Sequence, residues 1–140
     1  CTVGPRAYRG ATSPQFPNFL MVLGPNTGLG HSSMVYMIES QVEHVRQAIA
    51  AMDAAGAKQI EVRPAAHDAF NADVDARMAG TVWDIGGCQP WYFDATGRNA
   101  TLWPDWTWRF RRLASRFDPA AYQIQSATNT STTTPSEDAR

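Results

Sequence analysis

The chain has 140 residues, 44% of them hydrophobic and 18% charged, so it can bury the core of one ordinary domain and is not wholly disordered. Its 12 basic and 13 acidic side chains leave a formal charge of −1, which argues against nucleic acid as a partner. Two cysteines, Cys1 and Cys88, are too few for a disulfide scaffold, and no apolar run approaches the roughly 20 residues of a membrane span. We therefore expect a cytoplasmic protein with no membrane partner.

The first third of the chain predicts a strand that turns sharply into a helix. Residues 1–18 are rich in proline and glycine, which indicates an irregular, extended lead-in. The five apolar residues 19–23 show no polar alternation, as is typical of a strand buried on both faces of a parallel sheet. A glycine-rich turn, 24–31, follows this strand, and a serine at 32 or 33 can cap the next helix.

The clearest predicted element is an amphipathic helix over residues 32–55. Its apolar residues recur at spacings of three and four, which places them on one stripe: Met34, Ile38, Val42, Val45, Ile49 and Met52. We predict that this stripe faces the core, with Ile38, Val42, Val45 and Ile49 buried. Gly56 is the natural end of the helix.

The remaining residues predict a mixture of short elements. Residues 59–63 alternate like a half-buried strand, and apolar residues at 70, 74 and 78 predict a second helix that ends before Gly80. All five tryptophans lie within 81–110, where we expect short extended segments at 81–84 and 91–94 and a turn at Gly97. A short basic helix is predicted over 107–117, and a disordered tail from Ser126.

The turn at 24–31 is the candidate binding site. Unpaired N–H groups and the dipole of the following helix create positive potential there, and glycines at 24, 28 and 30 allow a flat or anionic ligand to approach the backbone. The alternative is an ordinary loop between a strand and a helix, and the sequence leaves both interpretations open. It is not a nucleotide-phosphate fingerprint, because neither the GxGxxG spacing nor the GxxxxGK[ST] lysine occurs.

Other chemically capable residues form no catalytic or metal-binding pattern. His44 and His67 are interpreted as structural or exposed, and His31 either belongs to the turn site or bonds to the helix start. Most of the tryptophans are expected to pack in the core or to anchor loops. The arginines at 109, 111, 112 and 116 favour a solvated helix face over a phosphate site. No catalytic residue can be named, and no metal is expected.

The order of several short motifs resembles the C-terminal section of flavin-containing monooxygenases, in particular their Baeyer–Villiger-type branch. The resemblance covers residues 7–122. It rests on Ala7-Tyr8-Arg9-Gly10-Ala11-Thr12, Phe16-Pro17-Asn18-Phe19, Gly24-Pro25-Asn26-Thr27-Gly28-Leu29-Gly30-His31-Ser32, Gly80-Thr81-Val82-Trp83, Gly86-Gly87-Cys88, Gly97-Arg98-Asn99-Ala100-Thr101-Leu102-Trp103-Pro104 and Phe117-Asp118-Pro119-Ala120-Ala121-Tyr122.

The resemblance implies an α/β fold, the C-terminal portion of a flavoprotein with two dinucleotide-binding domains. Residues 1–56 then close the FAD-binding domain with the buried strand, turn and long helix; 57–125 form a mixed α+β, Trp-rich cap; and 126–140 are the tail. The family's two glycine fingerprints and its catalytic arginine lie upstream of these motifs. The upstream part of the same enzyme is therefore the expected partner of this chain, and we do not expect the chain alone to retain FAD or NADPH.

The implied function is that of an FAD- and NADPH-dependent monooxygenase acting on a small organic substrate, which inserts oxygen into ketones or oxidises heteroatoms through a peroxyflavin. The resemblance places Gly24, Pro25, Asn26, Thr27, Gly28, Leu29, Gly30 and His31 against the flavin, and Trp91 near the nicotinamide-side ribose. One alternative is a small non-catalytic binding domain that keeps the fold. A disulfide reductase is a further alternative, but its CxxC motif is missing.

Overall fold

The computed structural model describes residues 4–30, 32–85 and 91–126. Helix α1 spans Met34–Ala54 and strand β1 spans Gln59–Val62; helices α2, α3 and α4 span Pro64–Met78, Val82–Ile85 and Thr107–Ala114; strand β2 spans Tyr122–Gln125. The predictions of α1, β1, α2 and α4 are confirmed. The confirmed elements have clear hydrophobic periodicity or turn residues at their ends, which are the signals that a sequence carries locally.

The sheet consists of β1 and β2, which pair antiparallel with Ile60 opposite Ile124 and Val62 opposite Tyr122. Ile60 and Val62 are buried, as the alternation predicts. Strand β2 was not predicted. It is positioned by a short 3₁₀ turn over Pro119–Ala121, which begins where the carboxylate of Asp118 accepts a hydrogen bond from the Ala120 N–H at 3.0 Å.

Helix α1 buries a different face from the one predicted. Its buried residues are Met37, Ser40, Gln41, His44 and Ala48. Val42 and Ile49, which the stripe places in the core, are 52% and 47% exposed. The reason is that Gln41 finds partners inside: its amide donates to the carbonyl of Gly10 at 2.8 Å and its Oε1 accepts from the N–H of Leu23 at 2.8 Å. The predicted burial of the stripe is therefore wrong for this chain.

The predicted buried strand over 19–23 is also wrong. This segment is irregular, and Phe19, Val22 and Leu23 are each nearly half exposed. Leu23 has a φ of 60°, which does not occur within a strand. A buried parallel strand needs neighbours on both sides, and β1 and β2 form the only sheet among the residues that the structure describes.

Two packed clusters form the core. The first joins the N-terminal segment, α1 and the sheet, through Tyr8, Ala48, Ile60, Val62, Ala121 and Tyr122. The second lies between α1, α2 and α4 and contains Met37, Val74, Trp103, Phe110 and Ala114. Phe70 of α2 packs against both clusters, so the predicted cap and the long helix share one continuous apolar interior.

The tryptophan-rich region differs from its prediction in two ways. Residues 82–85 form the short helix α3 and not an extended segment. Trp103 is the one fully buried tryptophan, whereas Trp91, Trp106 and Trp108 are 81%, 62% and 51% exposed, so packing does not account for most of them. The turn at Gly97 is confirmed, with a φ of 79°.

Several predictions fall on residues that the structure does not describe. The tail over 127–140, Cys1, Cys88 and His31 all lie outside the described ranges. No helix within those ranges is long and apolar enough to cross a membrane.

Candidate functional site

The glycine-rich turn is joined to the segment 99–103 by backbone pairing. Gly28 donates its N–H to the carbonyl of Thr101 at 2.8 Å and accepts from the N–H of Trp103 at 2.8 Å. The N–H of Asn26 donates to the carbonyl of Ala100 at 2.9 Å. The N–H groups of Asn26 and Gly28 are therefore paired within the chain and are not free to bind a ligand.

Asn26 is the centre of this connection. Its side chain is buried, its Nδ2 donates to the carbonyls of Asn99 and Leu102 at 2.8 and 3.0 Å, and its Oδ1 accepts from Arg98 at 2.7 Å. The guanidinium of Arg98 also donates to Asp75 of α2 at 2.7 Å. Asn26 has a φ of 56°, a conformation that asparagine tolerates better than most residues. The turn is thus held rigidly against both α2 and the segment 99–103.

The three glycines of the turn are needed for close packing within the chain. A Cβ atom at Gly28 would lie 2.9 Å from the carbonyl oxygen of Thr101. A Cβ at Gly24 would overlap the carbonyl of Gly10, and one at Gly30 would overlap the ring of Trp83. None of the three has a positive φ, so close packing and not backbone conformation favours glycine at these positions.

A cavity of about 340 Å³ lies between the turn, the start of α1 and Trp91. Of the residues predicted to bind cofactors it brings together Gly24, Thr27, Gly28, Leu29 and Trp91. Asn26 is buried beside the turn as its anchor, and Pro25 and Gly30 do not line the cavity. The cavity is also lined by four residues that were not predicted to belong to the site: Leu23, Met34, Thr101 and Leu102. Thr101 and Leu102 belong to the motif 97–104, and this motif is the signal that could have identified them.

Trp91 reaches this cavity from the end of a tight turn. Phe93 and Asn99 form an isolated bridge, and the Asp94 N–H donates to the carbonyl of Arg98 at 2.9 Å. The Asp94 carboxylate accepts from the hydroxyl of Thr96 at 2.6 Å, and this bond, with backbone N–H groups of the same turn, lowers the pKa of Asp94. The ordered turn leaves the Trp91 indole exposed at the rim of the cavity.

The start of α1 adds positive potential to the cavity. Met34 is both the first residue of the helix and part of the lining. Ser33 occupies the N-cap position as predicted, but its side chain makes no capping hydrogen bond, and the first turn contains no acidic residue. With no capping side chain from Ser33, the N–H groups at the start of the helix and the positive end of its dipole favour a ligand that is negatively charged on that side.

The described histidines have structural roles, as predicted. His44 is buried, and its Nε2 lies 2.8 Å from the hydroxyl oxygen of Tyr122. Burial first, and then the neighbouring Arg9 guanidinium, lower the pKa of His44 to about 4, so the ring is neutral. His67 Nδ1 lies 2.8 Å from the carboxylate of Asp68. Within the described residues, no group of histidine, cysteine and acidic side chains could hold a metal ion.

Comparison with known proteins identifies relatives over most of the chain. A Baeyer–Villiger monooxygenase of Pseudomonas aeruginosa is 46% identical over 122 residues, covering 86% of this chain and 23% of the relative. One of Streptomyces coelicolor is 48% identical over 122 residues, covering 86% of this chain and 24% of the relative. No protein-family profile matches the chain.

The fold is shared with solved monooxygenases. An oxidised steroid monooxygenase bound to NADP matches with a TM-score of 0.75 and 27% identity, over 89% of this chain and 24% of that one. This match confirms the α/β class and the predicted relation to flavoprotein monooxygenases. The chain spans about a quarter of the length of the curated relatives it matches. Over the segment that it spans, the chain is similar to Baeyer–Villiger monooxygenases in sequence and to a steroid monooxygenase in fold.

Proposed function

We propose that this chain forms the C-terminal part of an FAD- and NADPH-dependent monooxygenase that oxidises a small organic substrate, a ketone or a heteroatom compound. The observation that carries the proposal is the cavity in which the turn, the uncapped start of α1 and Trp91 meet. It joins the residues that the resemblance assigns to two different cofactors. The names of the relatives support the same activity.

The size and lining of the cavity fit part of a cofactor. At about 340 Å³ it is near the lower end of the range for ligand sites, roughly 300–1,000 Å³. Its walls are mostly apolar side chains and backbone, which suits the edge of a flat aromatic ring. The chain lacks the glycine fingerprint that binds a pyrophosphate, so the remainder of each dinucleotide would bind elsewhere in the enzyme.

The residues of the chain would orient the cofactors and stabilise charge. Bound NADPH would supply a hydride and bound FAD would use it to activate oxygen. The N–H groups at the start of α1 would stabilise negative charge on the adjacent ring edge, because they are oriented before the charge develops. The walls at Leu23 and Leu102 would exclude water, and the Trp91 indole would donate to a ribose hydroxyl.

Exposed apolar residues of this chain indicate that a partner covers them. We assign that role to the upstream FAD- and NADPH-binding part of the same enzyme. The partly exposed hydrophobic residues lie on two neighbouring elements: Val35, Val42 and Ile49 of α1, and Phe16, Phe19, Val22 and Leu23 of the preceding loop. Val35, Val42 and Ile49 are seven residues apart and therefore lie on one face of α1, and exposed apolar residues grouped in this way are typical of an interaction site. In this assignment residues 1–56 complete the FAD-binding domain and 57–125 form the cap. The low cysteine count favours a cytoplasmic location.

The test compares two exposed tryptophans in the longest product that the gene encodes. Trp91→Phe keeps most of the ring area but deletes the indole donor, whereas Trp106→Phe makes the same change outside the cavity. The Trp91 variant should raise the KM for NADPH up to about tenfold or increase peroxide release, because one hydrogen bond is worth about 0.5–1.5 kcal/mol. The Trp106 variant should match the wild type.

Two results would contradict the proposal. One is a full gene product that shows no FAD-dependent oxidation of NADPH. The other is an equal change in NADPH kinetics for the Trp91 and Trp106 variants. For the 140-residue chain alone, equilibrium dialysis should detect no stoichiometric FAD; a yellow protein that survives gel filtration would show that the cavity suffices for binding.

A further inference from the structure

A second cavity, unrelated to the turn, is lined by arginines. It has a volume of about 520 Å³, and its charged lining consists of Arg9, Arg77, Arg109, Arg112 and Arg116. It shares no lining residue with the cavity at the turn. The basic helix predicted over 107–117 supplies three of these arginines at spacings of three and four, which places them on the same side of α4 and its continuation.

Arg9 is the unusual member of this set because it is buried without a carboxylate partner. The residue is 8% exposed, and among the described residues it forms no ion pair. Its Nη1 donates to the carbonyl of Arg116 at 2.7 Å and lies 3.4 Å from His44, and its guanidinium lies 4.9 Å from the centre of the Tyr8 ring. Its buried Nε has no hydrogen-bond partner.

The other lining arginines are only partly neutralised. Asp105 accepts from Arg77 at 2.9 Å and from Arg109 at 3.0 Å, and Asp73 accepts from Arg77 at 2.9 Å. In the described part of the chain, Arg112 and Arg116 form no ion pair. Five guanidinium groups thus face the cavity with two carboxylates to balance them. The carbonyl end of α4 offsets a fraction of one charge.

A buried guanidinium is costly unless an anion compensates it. An excess of three positive charges around an open cavity favours a ligand with more than one negative charge. The planar fork of arginine matches the oxygens of phosphate in a bidentate way, and several forks converging on one space suit a phosphate better than a single carboxylate. The exposed ring of Trp108 forms part of the wall.

We propose that this cavity is a binding site for a small phosphate-bearing anion, with Arg9 at its base and Arg112 and Arg116 as its free ligands. Of the four arginines predicted to form a solvated helix face, those at 109, 112 and 116 therefore line the cavity. Arg111 lies outside the cavity; its guanidinium carbon is 4.8 Å from the centre of the Tyr36 ring, and its Nη1 is 3.7 Å from the carboxylate of Glu39. This site does not depend on the proposed monooxygenase activity.

The experiment measures pyrophosphate and inorganic phosphate binding by calorimetry, in the 140-residue chain and in the longest gene product. The test variants are Arg112→Gln and the double variant with Arg116→Gln, and the matched control is Arg111→Gln. Loss of one charged hydrogen-bond partner should weaken pyrophosphate binding about tenfold or more. The control should bind as the wild type does, and thermal unfolding of each free variant shows whether it folds.

Binding that is weakened in the test variants and retained in the control supports the site. Absence of binding to the wild type, or equal weakening by all variants, overturns it. Binding to the 140-residue chain but not to the longest gene product also overturns it, because an acidic segment of the longer chain would then fill the cavity. None of these results depends on NADPH oxidation, so they are independent of the outcome for the proposed function.

Discussion

Replacing Asn26 by alanine should be one of the most destabilising single changes in the chain. The buried side chain makes two neutral hydrogen bonds, to the carbonyls of Asn99 and Leu102, and accepts one from the charged Arg98. Neutral bonds contribute about 1 kcal/mol each and charged ones about 1.5–3 kcal/mol. The left-handed backbone adds about 1 kcal/mol, because alanine tolerates a positive φ less well. We expect a loss of about 5 kcal/mol in the free energy of unfolding.

Asn18 supplies a matched control. It also has a left-handed backbone, with a φ of 59°, and its exposed side chain makes two neutral hydrogen bonds, donating to the carbonyl of Lys58 and accepting from the N–H of Ile60. Asn18→Ala should cost about 2 kcal/mol, because water replaces the exposed partners. Urea unfolding of both variants measures the difference. Equal losses would refute the conclusion that the buried connection to the segment 99–103 holds the turn.

Three further changes test the packing, the buried histidine and the turn. Ala48→Asp should cost several kcal/mol in urea unfolding of the 140-residue chain, because it buries an unpaired charge. Val42→Asp, on the exposed stripe, should cost about 1 kcal/mol or less. A larger loss for Val42→Asp than for Ala48→Asp would show that the predicted stripe is buried after all. The pKa of His44 is about 4 in the folded chain, so the unfolded chain binds a proton first as the pH falls. The free energy of unfolding should therefore decrease by up to about 3 kcal/mol between pH 6.5 and 4. A His44→Gln variant with the same pH dependence would contradict this. Gly28→Ala should lower the melting temperature by an amount that corresponds to about 1–3 kcal/mol, since the alanine Cβ would crowd the Thr101 carbonyl. An unchanged melting temperature would show that the turn can shift to make room.

Elements with local signals could be predicted from the amino-acid sequence. The four-residue repeat of α2, the alternation of β1 and the basic run of α4 each predict the observed element. The order of the motifs also predicted the similarity to Baeyer–Villiger monooxygenases, because order and spacing are properties of the chain before it folds. The turn residues were recognised in the same way, although the partners of Asn26 lie more than 70 residues away and could not be predicted.

Which helix faces are buried depends on contacts between segments that are distant in the chain. The stripe of α1 is the most apolar face by spacing, yet Gln41 and His44 occupy the interior because the backbone of Gly10 and the hydroxyl of Tyr122 satisfy their polar atoms. Hydrophobic periodicity cannot anticipate such partners, since they come from distant segments. The apolar run at 19–23 forms no strand for a related reason: a strand is stabilised by neighbouring strands, and no local pattern provides them.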